Sequence, residues 1–200
     1  MTSKHRLLIL FLLTVISLLF VSCLPRVHEE YQTSVPVRVL DPDTHEVDLD
    51  TAIARASSLI NKTLPDAYLA GISYVGRCDE VEDLYGKLNL TFVQEKRSIL
   101  STSVRVADVS IDTNRQNMDI RIWDATDKYF IAKPLILQND LSIQEIASIT
   151  SAQLDKLKVE RCDIMLTRLE DYWLVVCTSW RSRICEFKVD IKTGKVVPTD

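Results

Sequence analysis

The stretch Tyr172 to Pro198, YWLVVCTSWRSRICEFKVDIKTGKVVP, constrains the fold more than any other. Strand side chains alternate between faces, so Trp173, Val175 and Cys177 share one side. Cys185, Phe187, Val189 and Ile191 share one side of a following strand. A turn centred near Arg181 sets Cys177 opposite Cys185, Val175 opposite Phe187 and Trp173 opposite Val189. One register buries the whole apolar set, and a slip of one residue exposes it. An earlier strand, Cys162 to Leu169, turns at Glu170-Asp171 and places Leu166 beside Val175 and Ile164 beside Cys177. The other face is mixed: Met165, Leu174, Val176 and Ile184 are apolar, whereas Glu186, Lys188 and Asp190 are polar. Half of that face calls for a cover, from the same chain, a second subunit or a ligand.

The N-terminus carries an address. Lys4, His5 and Arg6 precede an apolar or small run from Leu7 to Val21, then Ser22-Cys23. This is the layout of a secretory signal, which is not part of a mature fold. Phe20-Val21-Ser22-Cys23 resembles a bacterial lipobox, with Phe in place of the usual Leu, Val or Ile. The expectation is a signal peptide over residues 1–22 and lipidation at Cys23; an uncleaved anchor or ordinary cleavage nearby are the alternatives. Acyl chains on Cys23 would then hold the protein to the membrane. The resemblance places it in the cell envelope, on the outer face of the cell membrane. In a Gram-negative cell, Leu24 in place of Asp implies the outer membrane, facing the periplasm. Without residues 1–22 the chain keeps 22 basic against 28 acidic residues, a net charge of −6. That balance argues against nucleic acid and against electrostatic docking on anionic lipid.

Residues 23–46 contain Pro25, Pro36 and Pro42 without a helical period and read as a tether, with a short extended piece at Val35 to Leu40. A first α+β unit spans 47–123. Asp48 caps a helix whose apolar stripe is Ala52, Ile53, Ala56, Leu59 and Ile60, and Pro65 stops it. Strands follow at Ala67 to Val75, Lys87 to Glu95, Val104 to Asp112 and around Met118, Ile120 and Ile122. The phase change at Ala107-Asp108 predicts a bulge. Residues 124–140 form a connector, with a possible strand at Tyr129 to Ala132. A second unit spans 141–200: Ser142 and Glu145 form a capping box, and Ile143, Ile146, Ala147, Leu154 and Leu157 face the core. The two units share an order of capped helix, strands and closing turn. Asp48-Leu49-Asp50-Thr51-Ala52 aligns with Ser142-Ile143-Gln144-Glu145-Ile146, and Ile111-Asp112-Thr113-Asn114 with Ile191-Lys192-Thr193-Gly194. The expected fold class is therefore α+β, two helix-plus-antiparallel-sheet units in tandem.

The helix SIQEIASI, the aromatic-led strand at Tyr172-Trp173 and the ending VDIKTGKVV, Val189 to Val197, resemble the PepSY family of small extracytoplasmic domains. The likeness covers about the last third of the chain. It implies a helix on a short antiparallel sheet, cystatin-like in outline, and a role in binding or inhibition rather than catalysis. Outer-membrane assembly lipoproteins with helix-on-sheet repeats look similar at this level.

Beyond Cys23, four cysteines remain, an even count that suits disulfides in an oxidising compartment. The register favours Cys177 with Cys185, leaving Cys78 with Cys162; Cys162 with Cys177 and buried free thiols are the competitors. No Cys-x-x-Cys is present. The three histidines, His5, His28 and His45, all precede the expected fold, so Ser-His, Cys-His and His-zinc chemistry have nothing to use there. Asp79, Glu80, Glu82 and Asp83 read as a solvated acidic loop rather than a Ca²⁺ site, because the EF-hand spacing and glycine are missing. Asp112 and Asp190 read as turn formers. No phosphate loop or dinucleotide fingerprint appears, so no cofactor, metal or catalytic residue is expected. Trp180 beside Arg181 and Arg183 has the composition of a binding hot spot, and Leu174 and Val176 extend it; a Trp folded back on its own sheet is the alternative. Trp123 invites the same question. The functional expectation is a membrane-anchored extracytoplasmic module that engages or inhibits an envelope protein. A structural or assembly lipoprotein of the envelope is the alternative.

Overall fold

Asp48 Oδ1 accepts the Thr51 N–H at 2.9 Å and starts α1, Leu49–Ile60. Ser142 and Glu145 cap each other's backbone and start α2, Ile143–Leu157. Around these helices run nine strands: β1 Glu29–Pro36, β2 Tyr68–Arg77, β3 Gly86–Arg97, β4 Thr102–Asp112, β5 Asn117–Ala125, β6 Asp163–Arg168, β7 Tyr172–Ser179, β8 Ser182–Asp190 and β9 Val196–Pro198. The computed structural model describes residues 29–37, 48–97, 102–125, 133–138, 140–180 and 182–199.

All nine strands belong to one antiparallel sheet, in the order β1-β5-β4-β3-β2-β6-β7-β8-β9. This corrects the expectation of two helix-plus-sheet units in tandem. The decisive contact is β2 with β6, where Ser73 pairs with Thr167, Val75 with Met165 and Arg77 with Asp163. Each of these strands would otherwise end a sheet with a row of unpaired N–H and C=O groups, and pairing them removes both edges. The cores merge as well. A single apolar cluster runs from Ile120 and Ile122, past Leu90, Ile72 and Leu166, to Val175 and Val189, beneath Ala52 and Ala56 of α1 and Ile146 and Ala147 of α2.

Other expectations shift in detail. Part of the expected tether, Glu29–Pro36, is β1, which pairs with β5 so that Thr33 meets Ile120 and Val35 meets Met118. The bulge expected at Ala107-Asp108 is absent, for the β3–β4 and β4–β5 ladders run without a shift. The pattern changes there because Val106 and Ala107, on opposite faces, are both buried. Register shifts lie instead between Glu29 and Tyr31, between Leu69 and Gly71 and between Cys177 and Thr178. Leu157, in the last turn of α2, is exposed rather than in the core. The possible strand at Tyr129 to Ala132 lies outside the described residues. Farther on, the connector crosses one end of the sheet: Leu135 N–H donates to Leu69 O at 2.8 Å, and Leu141 N–H to Ile191 O at 2.7 Å. The registers expected for β6–β7 and β7–β8 are those found, including Leu166 with Val175 and Trp173 with Val189.

A shared core and a continuous ladder leave no boundary at which half the chain can melt by itself. Thermal unfolding is expected to give one transition, with matching calorimetric and van't Hoff enthalpies. Two resolved transitions in a scanning calorimeter would restore the tandem description.

Candidate functional site

Only two positions, 180 and 181, separate β7 from β8, and Ser179 pairs with Ser182. Hairpin turns this short need a left-handed residue and favour Asn or Gly there. Trp180 occupies that conformation, with φ +47°, and is 97% exposed. Arg181 lies outside the described residues. Below the turn, Cys177 is bonded to Cys185, Cα atoms 5.0 Å apart, which ties the two strands together close to the tip. Arg183 is exposed and ion-paired with Glu186. Trp180 also borders a shallow depression of about 410 Å³ with Arg77, Arg161 and Asp163.

The outer face of the sheet beside this hairpin carries an exposed apolar row, bordered on β8 by Glu186 beside Val176 and Lys188 beside Leu174. Val75, Met165 and Val176 are direct cross-strand neighbours on β2, β6 and β7. Val75 and Met165 are each 41% exposed, Ile184 on β8 is 45% exposed, and Leu174 and Val176 are half-buried. The residues named from the sequence, Leu174, Val176, Trp180 and Arg183, therefore belong to one hairpin. Val75 was not among them; only its pairing with Met165, 90 positions away, brings it in. Toward β1 the same face turns polar, with Ser73, Asn89, Ser110 and Asp119 in one row. Trp123 lies in that polar part, and its Nε1–H donates to Asp108 Oδ2 at 2.9 Å.

Both favoured disulfides are present. Cys78 is bonded to Cys162, Cα atoms 5.3 Å apart, at the ends of β2 and β6, where Cys78 N–H also donates to Cys162 O. In the acidic loop, Asp79 accepts both Arg77 guanidinium bonds at 2.9 and 3.0 Å. Asp79, Glu82, Asp83, Asp155 and Glu160 border one groove of about 540 Å³, each exposed. Among the described residues no three His, Cys, Asp or Glu side chains come together to hold a metal ion. Asp190 Oδ1 accepts from the Lys192 and Thr193 N–H groups, and Asp112 Oδ1 from Arg115 N–H, the turn-forming roles expected of them. The Thr193 hydroxyl, which donates to the same oxygen at 2.7 Å, and then these backbone bonds hold the Asp190 carboxyl below the usual carboxylate range. Tyr74 donates to Tyr85 O at 2.8 Å. Burial, with Glu80 and Asp83 adding to it, pushes its phenol well above the ordinary value.

No family model, curated protein or solved structure matches the chain. The PepSY-like resemblance thus draws no support from those comparisons. Cys23 lies outside the described residues. No helix among the described residues is long and apolar enough to cross a membrane.

Two measurements test this geometry. In the chain-entropy picture, replacing Cys78 and Cys162 by Ser removes about 4–5 kcal/mol and replacing Cys177 and Cys185 about 2.5 kcal/mol, because the first bond closes a far longer loop. Denaturant titration of the two double variants should preserve that order. A raised phenol favours the protonated fold, so the Tyr74 contribution is complete below the unfolded value near 10 and declines as pH rises above it. Tyr74→Phe should accordingly lose less stability than the parent between pH 9 and 11.5; parallel curves would rule this out.

Proposed function

We propose that the protein is a lipid-anchored extracytoplasmic binding module that engages a protein partner through the Trp180 tip and the apolar row beside it, without catalysis. The observation that carries this reading is the conformation of Trp180. A left-handed backbone costs about 1–2 kcal/mol at a residue with a Cβ. Leaving a large aromatic in water forgoes its burial as well. Asn or Gly would serve the turn better on both counts, so the indole serves something other than the fold. Exposed Trp near Arg, next to apolar surface, is the composition of the few interface residues that carry most binding energy. Attachment through acyl chains on Cys23 would keep the module at the envelope, on the outer membrane facing the periplasm in a Gram-negative cell.

Trp180→Gly separates the two demands. The variant should be as stable as the parent or up to about 1 kcal/mol more stable, since glycine accepts the left-handed turn freely. It should also lose at least tenfold in capture of one defined protein from detergent-solubilised membranes. Capture of nothing above background by the parent would sink the reading. A general envelope defect without loss of a single partner would favour a structural or assembly role.

A further inference from the structure

One row across the outer face takes a residue from each of five neighbouring strands. Val75 of β2 pairs with Lys87 of β3 on one side and with Met165 of β6 on the other. Met165 pairs in turn with Val176 of β7, and Val176 with Glu186 of β8. The row therefore reads Lys, Val, Met, Val, Glu. It is centred on β6, apolar in the middle, and ends in opposite charges at equal distances from the centre. Lys87 is exposed and has no ion-pair partner among the described residues. Asp112, opposite it on β4, pairs with Arg115 at 3.8 Å. Glu186 pairs with Arg183 of its own strand, and a carboxylate can accept further donors.

A face with this pattern is its own complement. In a two-fold pair the same patch meets itself, residue i on residue j and j on i. Sheets packed face to face lie about 10 Å apart, with their strands within about 30° of aligned. A two-fold axis along β6 sets Met165 on Met165, Val75 on Val176 and Lys87 toward Glu186. An axis across the strands would set Lys87 on Lys87 and Glu186 on Glu186, and facing like charges is costly. We infer that a second copy of this chain covers the face, related by the axis along β6. In the adjoining row Leu174 then meets Ser73, and Lys188 meets Asn89. Asp163 meets itself, but each copy holds it in register beside Arg77. The same rotation carries Trp180 of one copy toward the end of β2 in the other, where Arg77 is largely exposed. An indole face attracts a guanidinium. The rotation also keeps strand direction. β1 runs the same way as β7, so both copies begin β1 at one end of the pair, opposite the Trp180 tips. Two chains held by acyl groups on Cys23 would reach that arrangement from a single membrane.

This inference names the partner of the binding role proposed above and rests on that role; its test tells the two apart. The full chain, in excess detergent micelles matched to the solvent density, is followed by sedimentation equilibrium. The parent should dimerise with a Kd of about 10 μM or tighter. Met165→Glu, at an exposed position on the axis, should weaken the dimer at least a hundredfold with an unchanged circular dichroism spectrum. Lys87→Glu and Glu186→Lys should each weaken self-association at least tenfold, because each sets two like-charge contacts in the pair. An equimolar mixture of those two variants should form a heterodimer, and this decides the matter if Met165→Glu does not fold. A parent that stays monomeric at about 100 μM, or a dimer indifferent to Met165→Glu and to the charge reversals, would overturn the inference. If that monomer captures a different protein through Trp180, the binding role stands with another occupant; if it captures nothing, both fall.

Discussion

The antiparallel pairing of β2 with β6 is the contact on which the rest of the structure depends. It spans Ser73 to Arg77 on one strand and Asp163 to Thr167 on the other. Through it the α1 and α2 halves share one core, and the outer row of Val75, Met165 and Val176 becomes continuous. The Cys78–Cys162 bond sits at the end of the same ladder and fixes it covalently. Without that ladder each half would expose a strand edge and the flank of its own helix.

Local signals in the sequence carried far. Alternation placed Trp173, Val175 and Cys177 against Val189, Phe187 and Cys185, because a single register buries all six. The caps at Asp48 and Ser142 were readable because few residue types satisfy a helix start. Register favoured Cys177 with Cys185 and so Cys78 with Cys162, the pairs found, but it left Cys162 with Cys177 as a competitor. The β2–β6 seam was not readable. Neither strand contains a residue that distinguishes a free edge from a paired one, and the partners lie some 90 positions apart. β1 was hidden by the prolines around it, although Pro36 stands at its last position, where an edge strand tolerates proline. Alternation from Ile164 and Leu166 sets Arg168 on the core face, but its buried ion pair with Asp140, 28 positions earlier, had no local sign.

The two parts of the candidate surface were unequally legible for the same reason. The Trp180 tip is local: a short turn, an indole and neighbouring arginines lie together in the chain. The apolar row beside it is assembled from distant segments: Val75 lies on β2, Met165 on β6 and Val176 on β7.

The seam also sets an order of events during synthesis. β2 is complete once Arg77 has emerged, but its partner on that side ends at Arg168. Cys78 likewise precedes Cys162 by 84 positions. Hairpins such as β3–β4 close locally and early, while contacts of long sequence separation close slowly and late. Until then the growing chain displays the unpaired side of β2, with Val75 exposed and a free thiol at its end. The centre of the finished sheet is thus, for a time, the edge of an unfinished one, and it is there that a nascent chain is most open to pairing with a neighbour or to a mismatched cysteine.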